Sequence, residues 1–97
     1  MIRGKYISSG MQGLIKDGGS SRVEQARKNI ANLGGKVEAV YFALGDYDIY
    51  AILEFKDNIS ITALSMALNA GGGMETSTTV LLSPEEIDEA TKKTSWT

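Results

Sequence analysis

The sequence predicts an α+β domain in which helices cover a four-stranded antiparallel sheet, in the order βαββαβ, with a short helix at the C-terminus. Residues 21–33 and 59–70 carry apolar side chains at helical spacing, and strand-like segments alternate with them along the chain. A length of 97 residues is enough for one hydrophobic core and too short for two. We therefore expect a single domain over residues 1–97, of which residues 83–97 form the C-terminal helix and tail.

The first strand and the first helix are predicted between residues 5 and 35. Residues 5–11 (KYISSGM) alternate and contain β-forming side chains, which predicts a strand with a weakened far end. Residues 17–21 predict a loop, and Ser21 with Glu24 three positions later has the spacing of a capping box that opens a helix. The pair Gly34-Gly35 predicts the end of that helix. Its expected buried stripe consists of Val23, Ala26, Ile30 and Leu33.

Residues 36–44 and 48–55 predict two strands joined by a tight hairpin turn. The expected cross-strand pairs are Leu44 with Asp48, Phe42 with Tyr50, Val40 with Ile52, and Glu38 with Glu54. The face predicted to pack on the helices carries Val37, Ala39, Tyr41, Ala43, Ile49, Ala51, Leu53 and Phe55. The face predicted to point away from them carries Val40, Phe42, Leu44, Tyr50 and Ile52.

The second of these faces is too apolar to meet water in an antiparallel sheet, so we expect a partner subunit to cover it. Four strands ~4.8 Å apart and ~20 Å long present roughly 400 Å² of flat face. Two such faces bury less than the ~1,200–2,000 Å² of a stable association, so other segments must contribute. We expect residues 84–96, with the single tryptophan Trp96, to reach across. Phe42→Asp is predicted to give a monomer or an aggregate.

The C-terminal half predicts a helix over residues 59–70, capped by Asn58 and ended by three glycines. A last strand is predicted over residues 74–82. Ser83 and Glu86 then form a second capping box that opens the short final helix. Elements in this order make a ferredoxin-like fold.

The composition excludes several kinds of site. With no Cys and no His, the chain lacks thiolate and imidazole chemistry, which removes the usual zinc sites and Cys or Ser–His nucleophiles. A net charge of −2 argues against a nucleic-acid partner, which needs clustered Lys and Arg. No apolar run approaches the ~20 residues of a membrane span, and the N-terminus does not resemble a signal peptide. We expect no membrane association, a cytoplasmic location, no metal and no cofactor.

Two carboxylates, Asp46 and Asp48, flank Tyr47 in the predicted hairpin turn. They are candidate catalytic bases or ligand-binding groups at the mouth of the sheet. The structural alternative is an ordinary turn, because Gly45 and Asp favour turns and an Asp carboxylate accepts hydrogen bonds from nearby amides. Two carboxylates without further spaced oxygen ligands do not predict a metal site.

Residues 17–22 (DGGSSR) resemble an anion cradle, because glycines before a helix expose amides and Arg22 adds a fork of donors. The alternative is a simple loop and cap, since no Walker pattern is present and Asp17 would repel a phosphate.

Hydroxyl groups on adjacent strands offer a third candidate site, an apolar pocket with a few polar atoms. The alternative is that aromatic and β-branched residues simply fill the sheet. The candidate ligand-binding residues are Tyr6, Ser8, Tyr41, Tyr47, Tyr50, Thr76 and Thr78.

The hairpin segment, residues 43–48 (ALGDYD), resembles the signature of the GYD domain family. The likeness extends to residues 13–20, 34–39 and 78–86, so it includes most of the chain. It implies a dimeric α/β-barrel assembly, in which ferredoxin-like units join through their sheets. It implies little about activity, because the family is largely uncharacterised.

Two hypotheses for function follow. The first is a module without catalytic machinery that assembles with itself, as a homodimer or a higher oligomer, and binds a small apolar metabolite. The second, by analogy of fold, is a small cofactor-independent enzyme, an isomerase or oxygenase, with Asp46 or Asp48 as the base and a tyrosine orienting the substrate.

Overall fold

The structure, a computed structural model, describes residues 1–71 and 73–95. Four strands form one antiparallel sheet in the order β2-β3-β1-β4, with four helices around it. In chain order the elements are β1 (Ile2–Tyr6), α1 (Ser8–Asp17), α2 (Gly19–Asn32), β2 (Lys36–Phe42), β3 (Ile49–Glu54), α3 (Asn58–Gly71), β4 (Met74–Thr78) and α4 (Pro84–Lys93).

The sheet has two central strands, β3 and β1, and two edge strands, β2 and β4. Helix α2 packs on β2 and α3 packs on β4, so each helix lies over one edge of the sheet. Where the helices meet the sheet, Ile2, Ile30, Val37 and Leu64 form the buried core. The predicted α+β, ferredoxin-like fold with a four-stranded antiparallel sheet is confirmed. Assembly into a dimer stays a prediction.

The first prediction that is wrong concerns residues 5–11, which were expected to form the first strand. The strand lies earlier, at Ile2–Tyr6, and Ser8 begins the additional helix α1. Met11 and Leu14 are half-buried at helical spacing, and the Ile7 carbonyl accepts the Met11 N–H at 2.9 Å. The serines and glycine that weakened the strand pattern therefore belong to a helix.

Helix α2 begins two residues earlier than expected. Gly18 alone separates it from α1, with a φ of 81° that L side chains rarely adopt. Ser21 consequently lies inside the first turn, so its hydroxyl is not at the N-cap position, and no side chain caps the helix. The predicted capping box of Ser21 and Glu24 is wrong, whereas the end of the helix just before Gly34 agrees with the prediction.

The hairpin register differs from the prediction by one residue on β2. Phe42 lies opposite Ile49, and Tyr41 lies opposite Tyr50. A bulge between Val37 and Ala39 adds one residue to β2 without a counterpart on β3. Because side chains alternate between the two faces, one extra residue exchanges the faces of all the residues that follow it.

The bulge places Val37, Val40 and Phe42 together on the helix side of the sheet, where Val40 packs against the core. The expectation that Val40 and Phe42 lie on the outer face is wrong, as is the expectation that Ala39, Tyr41 and Ala43 pack on the helices. Strand β3 has no such irregularity, and its predicted faces are correct. We call the side of the sheet away from the helices the open face. It carries Ala39, Tyr41, Tyr50 and Ile52 together with the polar residues Arg3, Lys5, Lys36, Glu54, Glu75 and Ser77.

The turn of the hairpin is longer than the three residues predicted. The strands end at Phe42 and start again at Ile49, and the Ala43 N–H donates to the Asp48 carbonyl at 2.8 Å. Leu44, expected on the outer sheet face, lies fully exposed in this loop.

Helix α3 agrees with its predicted span but not with its predicted cap. The Ser60 N–H donates to Asp57 Oδ1 at 2.8 Å, so Asp57 is the capping residue in place of Asn58. This hydrogen bond from Ser60 lowers the pKa of the Asp57 carboxyl below its usual value. On the other side of α3, Leu64 is buried, with Ile61 and Leu68 packed against the core.

The last strand, β4, stops at Thr78 instead of continuing to residue 82. Residues 79–82 are exposed and form no strand, and α4 follows with a capping box of Ser83 and Glu86 as predicted. All ten residues of α4 are exposed, so this helix extends from the domain without burying a face on it. We call residues 79–95 the C-terminal arm. The tryptophan expected to dock on a neighbour, Trp96, lies outside the described residues.

Candidate functional site

A partly open cavity of about 480 Å³ lies between the sheet and the helices. The side chains around it are mostly apolar, and the few polar ones come from β1, α1 and α2. The main apolar lining residues are Ile2, Val37, Val40, Phe42, Ile49, Ala51, Leu53, Val23, Ala26, Ile30, Leu64, Leu68 and Met74. The polar lining side chains are Tyr6, Ser9, Arg22, Gln25 and Asn29.

The cavity exists because the helices cover the edges of the sheet and leave a gap above its centre. Helix α2 packs on β2 and α3 packs on β4, so the central strands β1 and β3 lie beneath the gap. Among the side chains there, Ala51 is small and leaves space above β3. The space above Gly4 is taken up by Met74 and Ile49.

The polar end of the cavity lies where β1 ends and β3 begins. Tyr6, the last residue of β1, lines the cavity there, and its N–H donates to Asp48 Oδ2 at 2.8 Å. Burial raises the pKa of the Tyr6 phenol above its ordinary value, an effect that Arg22 opposes and Asp48 reinforces. The Tyr6 hydroxyl is therefore protonated at neutral pH and is able to donate a hydrogen bond.

The guanidinium of Arg22 is held between α1 and α2 at this end of the cavity. Its Nε is buried and forms no hydrogen bond within the described chain, and Asp17 Oδ2 lies 3.5 Å away. A Cβ at Gly13 would collide with Arg22 Nη2, so only glycine at position 13 leaves room for the guanidinium. Residues 17–22, suggested above as an anion cradle, thus contribute the Arg22 side chain rather than a loop of amides.

Of the seven candidate ligand-binding residues, only Tyr6 lines the cavity. Tyr41 and Tyr50 pair with each other on the open face, and Tyr47 joins them there. Ser8 begins α1 and is exposed. Tyr6 therefore does not share a site with the other three tyrosines.

Thr76 and Thr78 lie on the helix side of the sheet, but they attach α3 to the edge strand β4. Thr76 exchanges two hydrogen bonds with the Asn69 side chain, at 2.7 and 2.9 Å, and the Thr78 hydroxyl lies 2.8 Å from that of Ser65. These hydroxyl groups are engaged in holding the fold together.

The two aspartates of the hairpin occupy different surroundings. Asp46 is exposed in the loop, whereas Asp48 is half-buried and fixes the loop to β1 through the Tyr6 N–H. The Asp48 N–H donates in turn to the Gly4 carbonyl at 2.9 Å. Asp48 thus has the structural role that the turn alternative described, and neither carboxylate lines the cavity.

The open face combines aromatic and apolar side chains with charged ones, and it contains one buried polar atom without a partner. The Arg3 guanidinium carbon lies 4.3 Å from the centre of the Tyr47 ring, and Tyr47 meets Tyr50 edge to face at 6.2 Å. Arg3 Nε is buried without a hydrogen-bond partner in the described part of the chain. Tyr41 is 68% exposed there, although it belongs to a strand.

Residues 1–71 and 73–95 contain neither a metal-binding cluster nor a membrane-spanning helix. No group of three or more Asp or Glu side chains is arranged to hold a metal ion. None of the helices combines the length and the apolar content that crossing a bilayer requires.

Comparison with known proteins gives one match. No curated protein and no solved structure is similar to this chain. The model of one family, the GYD domain, matches residues 1–91, which is nearly the whole sequence. This agrees with the resemblance of the hairpin segment, and the chain belongs to the GYD domain family.

Proposed function

We propose that this protein is a homo-oligomeric module that binds a small, largely apolar molecule in the cavity between its sheet and its helices. The observation that carries the proposal is the cavity itself, because about 480 Å³ falls within the roughly 300–1,000 Å³ typical of ligand pockets. Its mainly apolar walls with a few polar groups at one end are also the usual composition of such pockets. By comparison, an apolar cavity of ~150 Å³ suffices for benzene.

The cavity is partly open to solvent, so water enters it when no ligand is bound. Water gains few hydrogen-bond partners along the apolar walls. An apolar ligand would stabilise the fold by displacing this water.

Assembly into an oligomer is supported by two surfaces that the single chain leaves uncovered. The open face presents Tyr41, Tyr50 and Ile52 around the Arg3 guanidinium. The C-terminal arm presents four exposed apolar side chains: Val80, Leu81, Leu82 and Ile87. Two open faces of roughly 400 Å² each fall short of a stable interface, and an arm from each copy supplies further area. We therefore propose that two copies meet through their open faces and that the arms extend the interface.

Ligand binding is tested by filling the cavity. N-phenyl-1-naphthylamine, a neutral apolar dye that fluoresces when it leaves water, serves as the probe. We expect the wild type to bind it, and Ala51→Phe to abolish binding because the ring occupies the space above the central strands. Ala63→Phe, the same substitution at an exposed position of α3, is the matched control and should bind normally. Equal binding by both variants, with circular dichroism showing both folded, would exclude the cavity as the site.

Assembly is tested by size-exclusion chromatography with light scattering. The bulge moves Phe42 to the cavity side, so the substitution that probes the open face is Tyr41→Asp instead of Phe42→Asp. We expect the wild type to be at least a dimer at micromolar concentration and Tyr41→Asp to be a monomer. Ile15→Asp removes a similarly exposed apolar side chain from α1 and should leave the oligomer intact. A folded wild-type monomer under these conditions would contradict the proposed assembly.

The enzymatic alternative required Asp46 or Asp48 as a base in an enclosed site. Asp46 is exposed, and Asp48 already accepts the Tyr6 N–H outside the cavity lining. The geometry of these two residues offers no support for the alternative, so the binding function is the one we put forward.

A further inference from the structure

We infer that the cavity selects an anionic ligand, an apolar acid whose carboxylate or sulfonate group sits against the Arg22 guanidinium while its apolar body fills the space over the central strands. This inference rests on the proposed binding function and adds the chemical class of the ligand and the residue that recognises it.

The position of Arg22 carries the inference. Among the described residues that line the cavity, Arg22 is the one cation, and it lies close enough to Tyr6 to influence the Tyr6 phenol. Its Nε is shielded from water and is paired only with Asp17 Oδ2 at 3.5 Å, without a hydrogen bond, so a better acceptor would improve its surroundings. A carboxylate or sulfonate supplies acceptors in the planar geometry that guanidinium matches.

The neighbouring carboxylates do not fully satisfy Arg22. Asp17 Oδ2 forms an ion pair with Arg22 Nε at 3.5 Å but no hydrogen bond, and the Arg22 and Asp17 side chains are 34% and 40% exposed. Solvent screening weakens an ion pair at such exposure. Asp48 accepts the Tyr6 N–H and does not line the cavity. An anion in the cavity therefore competes with one screened ion pair.

Another polar group at the same end suits an anion. The Tyr6 phenol lines the cavity and stays protonated at neutral pH, so its hydroxyl is a donor. Gln25 and Asn29 also line the cavity, but they lie about one and two turns further along α2, so we assign them no part in binding the acidic group.

Gly13 is a positioning residue for this site. Because a Cβ at position 13 would collide with Arg22 Nη2, Gly13→Ala must displace the guanidinium without changing the net charge. Alanine favours a helix more than glycine, and residue 13 lies within α1, so the substitution should not unfold the protein.

The test uses two dyes that differ by one charged group. 1-Anilinonaphthalene-8-sulfonate carries a sulfonate, and N-phenyl-1-naphthylamine has the same apolar rings without it. In fluorescence titrations, we expect Arg22→Gln to weaken binding of the sulfonate dye at least about tenfold, as loss of a charge-assisted hydrogen bond would. Binding of the neutral dye should be unchanged. Lys28→Gln removes an equal charge from an exposed position on α2 and should affect neither dye.

Gly13→Ala should reproduce the selective loss, and the double variant Gly13→Ala/Arg22→Gln should bind the sulfonate dye no worse than Arg22→Gln alone. Ala51→Phe should remove binding of both dyes, which assigns the signal to the cavity. If both dyes bind in the cavity and Arg22→Gln weakens neither or weakens both equally, the anion inference is overturned while the binding function stands. If neither dye binds to the cavity, the binding function fails and the inference fails with it.

Discussion

The bulge in β2 makes a quantitative prediction about two neighbouring side chains, Tyr41 and Phe42. Phe42 is 43% exposed, lines the cavity and lies against Gly19, where a Cβ would come within 3.2 Å of its ring. Complete removal of a buried Phe side chain costs about 3–5 kcal/mol, and Phe42 is a little over half buried. We expect Phe42→Ala to lower the free energy of unfolding by about 1.5–3 kcal/mol.

Tyr41 is 68% exposed on the open face, so Tyr41→Ala should cost less than about 1 kcal/mol in the isolated chain. The measurement is urea unfolding of both variants at several protein concentrations. Phe42→Ala should lower stability by the same amount at each concentration, because its contacts lie within one chain. Tyr41→Ala should instead reduce the concentration dependence that an oligomer gives to unfolding. The reverse pattern, with Tyr41→Ala costly at every concentration and Phe42→Ala neutral, would refute the register and the position of the bulge.

Two further predictions concern aspartates. The Ser60 N–H lowers the folded pKa of Asp57 below its unfolded value, so its stabilising effect is present above about pH 4 and is lost as pH falls through the folded pKa. Between pH 2 and 7, the urea midpoint of the wild type should include this loss of stability in acid, and that of Asp57→Asn should lack it. Identical pH profiles of the two proteins would contradict the prediction. Asp48→Ala leaves the Tyr6 N–H unpaired and should lower the free energy of unfolding by about 1–3 kcal/mol, whereas Asp46→Ala should stay within about 0.5 kcal/mol. Equal losses in chemical denaturation would show that the Asp48 contact is not formed.

The element types were largely predictable from local patterns. The helical stripes of α2 and α3, the hairpin of β2 and β3, and the capping box of Ser83 and Glu86 each depend on residues close in sequence. The error at α1 has a physical cause: Ser8, Ser9 and Gly10 are poor helix formers by propensity. Tertiary contact overrides that preference, because Gly10 lies directly against Gly73 and a side chain at either position would prevent it.

The faces of the hairpin were only half predictable. Strand β3 contains no bulge, and carboxylates at both ends of one of its faces, Asp48 and Glu54, indicated that the other face packs on the helices. Strand β2 contains apolar residues at odd-numbered and even-numbered positions alike, among them Val37, Val40, Tyr41 and Phe42. The pattern therefore does not determine where a bulge falls. The bulge is decided by packing, because only an extra residue brings Val37 and Val40 into the core together.

The candidate site was less predictable from the sequence than the faces of the hairpin. A space between sheet and helices was foreseeable from the fold, and Tyr6 and Arg22 were each named as candidates from the sequence. That Arg22 packs against Gly13 was not foreseeable, because the two residues come from different helices and α1 was itself missed. A signal was present in the sequence: Gly13, Gly18 and Gly19 fall within 13–20, one of the segments that resemble the GYD domain family. The structure gives these glycines separate tasks, since Gly13 admits the Arg22 guanidinium and Gly18 turns the chain between the helices.

Through Gly13 and Gly18, helix α1 contributes to the position of Arg22 at the cavity. The Arg22 side chain lies against the backbone of α1 at Gly13 and lines the cavity. Its Nε is shielded from solvent, and the side chain as a whole is 34% exposed. A partly shielded guanidinium binds an anion more strongly than a fully exposed one, because less water must be displaced. We therefore expect shortening of the side chain at Arg22 and filling of the space at Gly13 to have the same consequence for an acidic ligand, although only one of the two changes removes a charge.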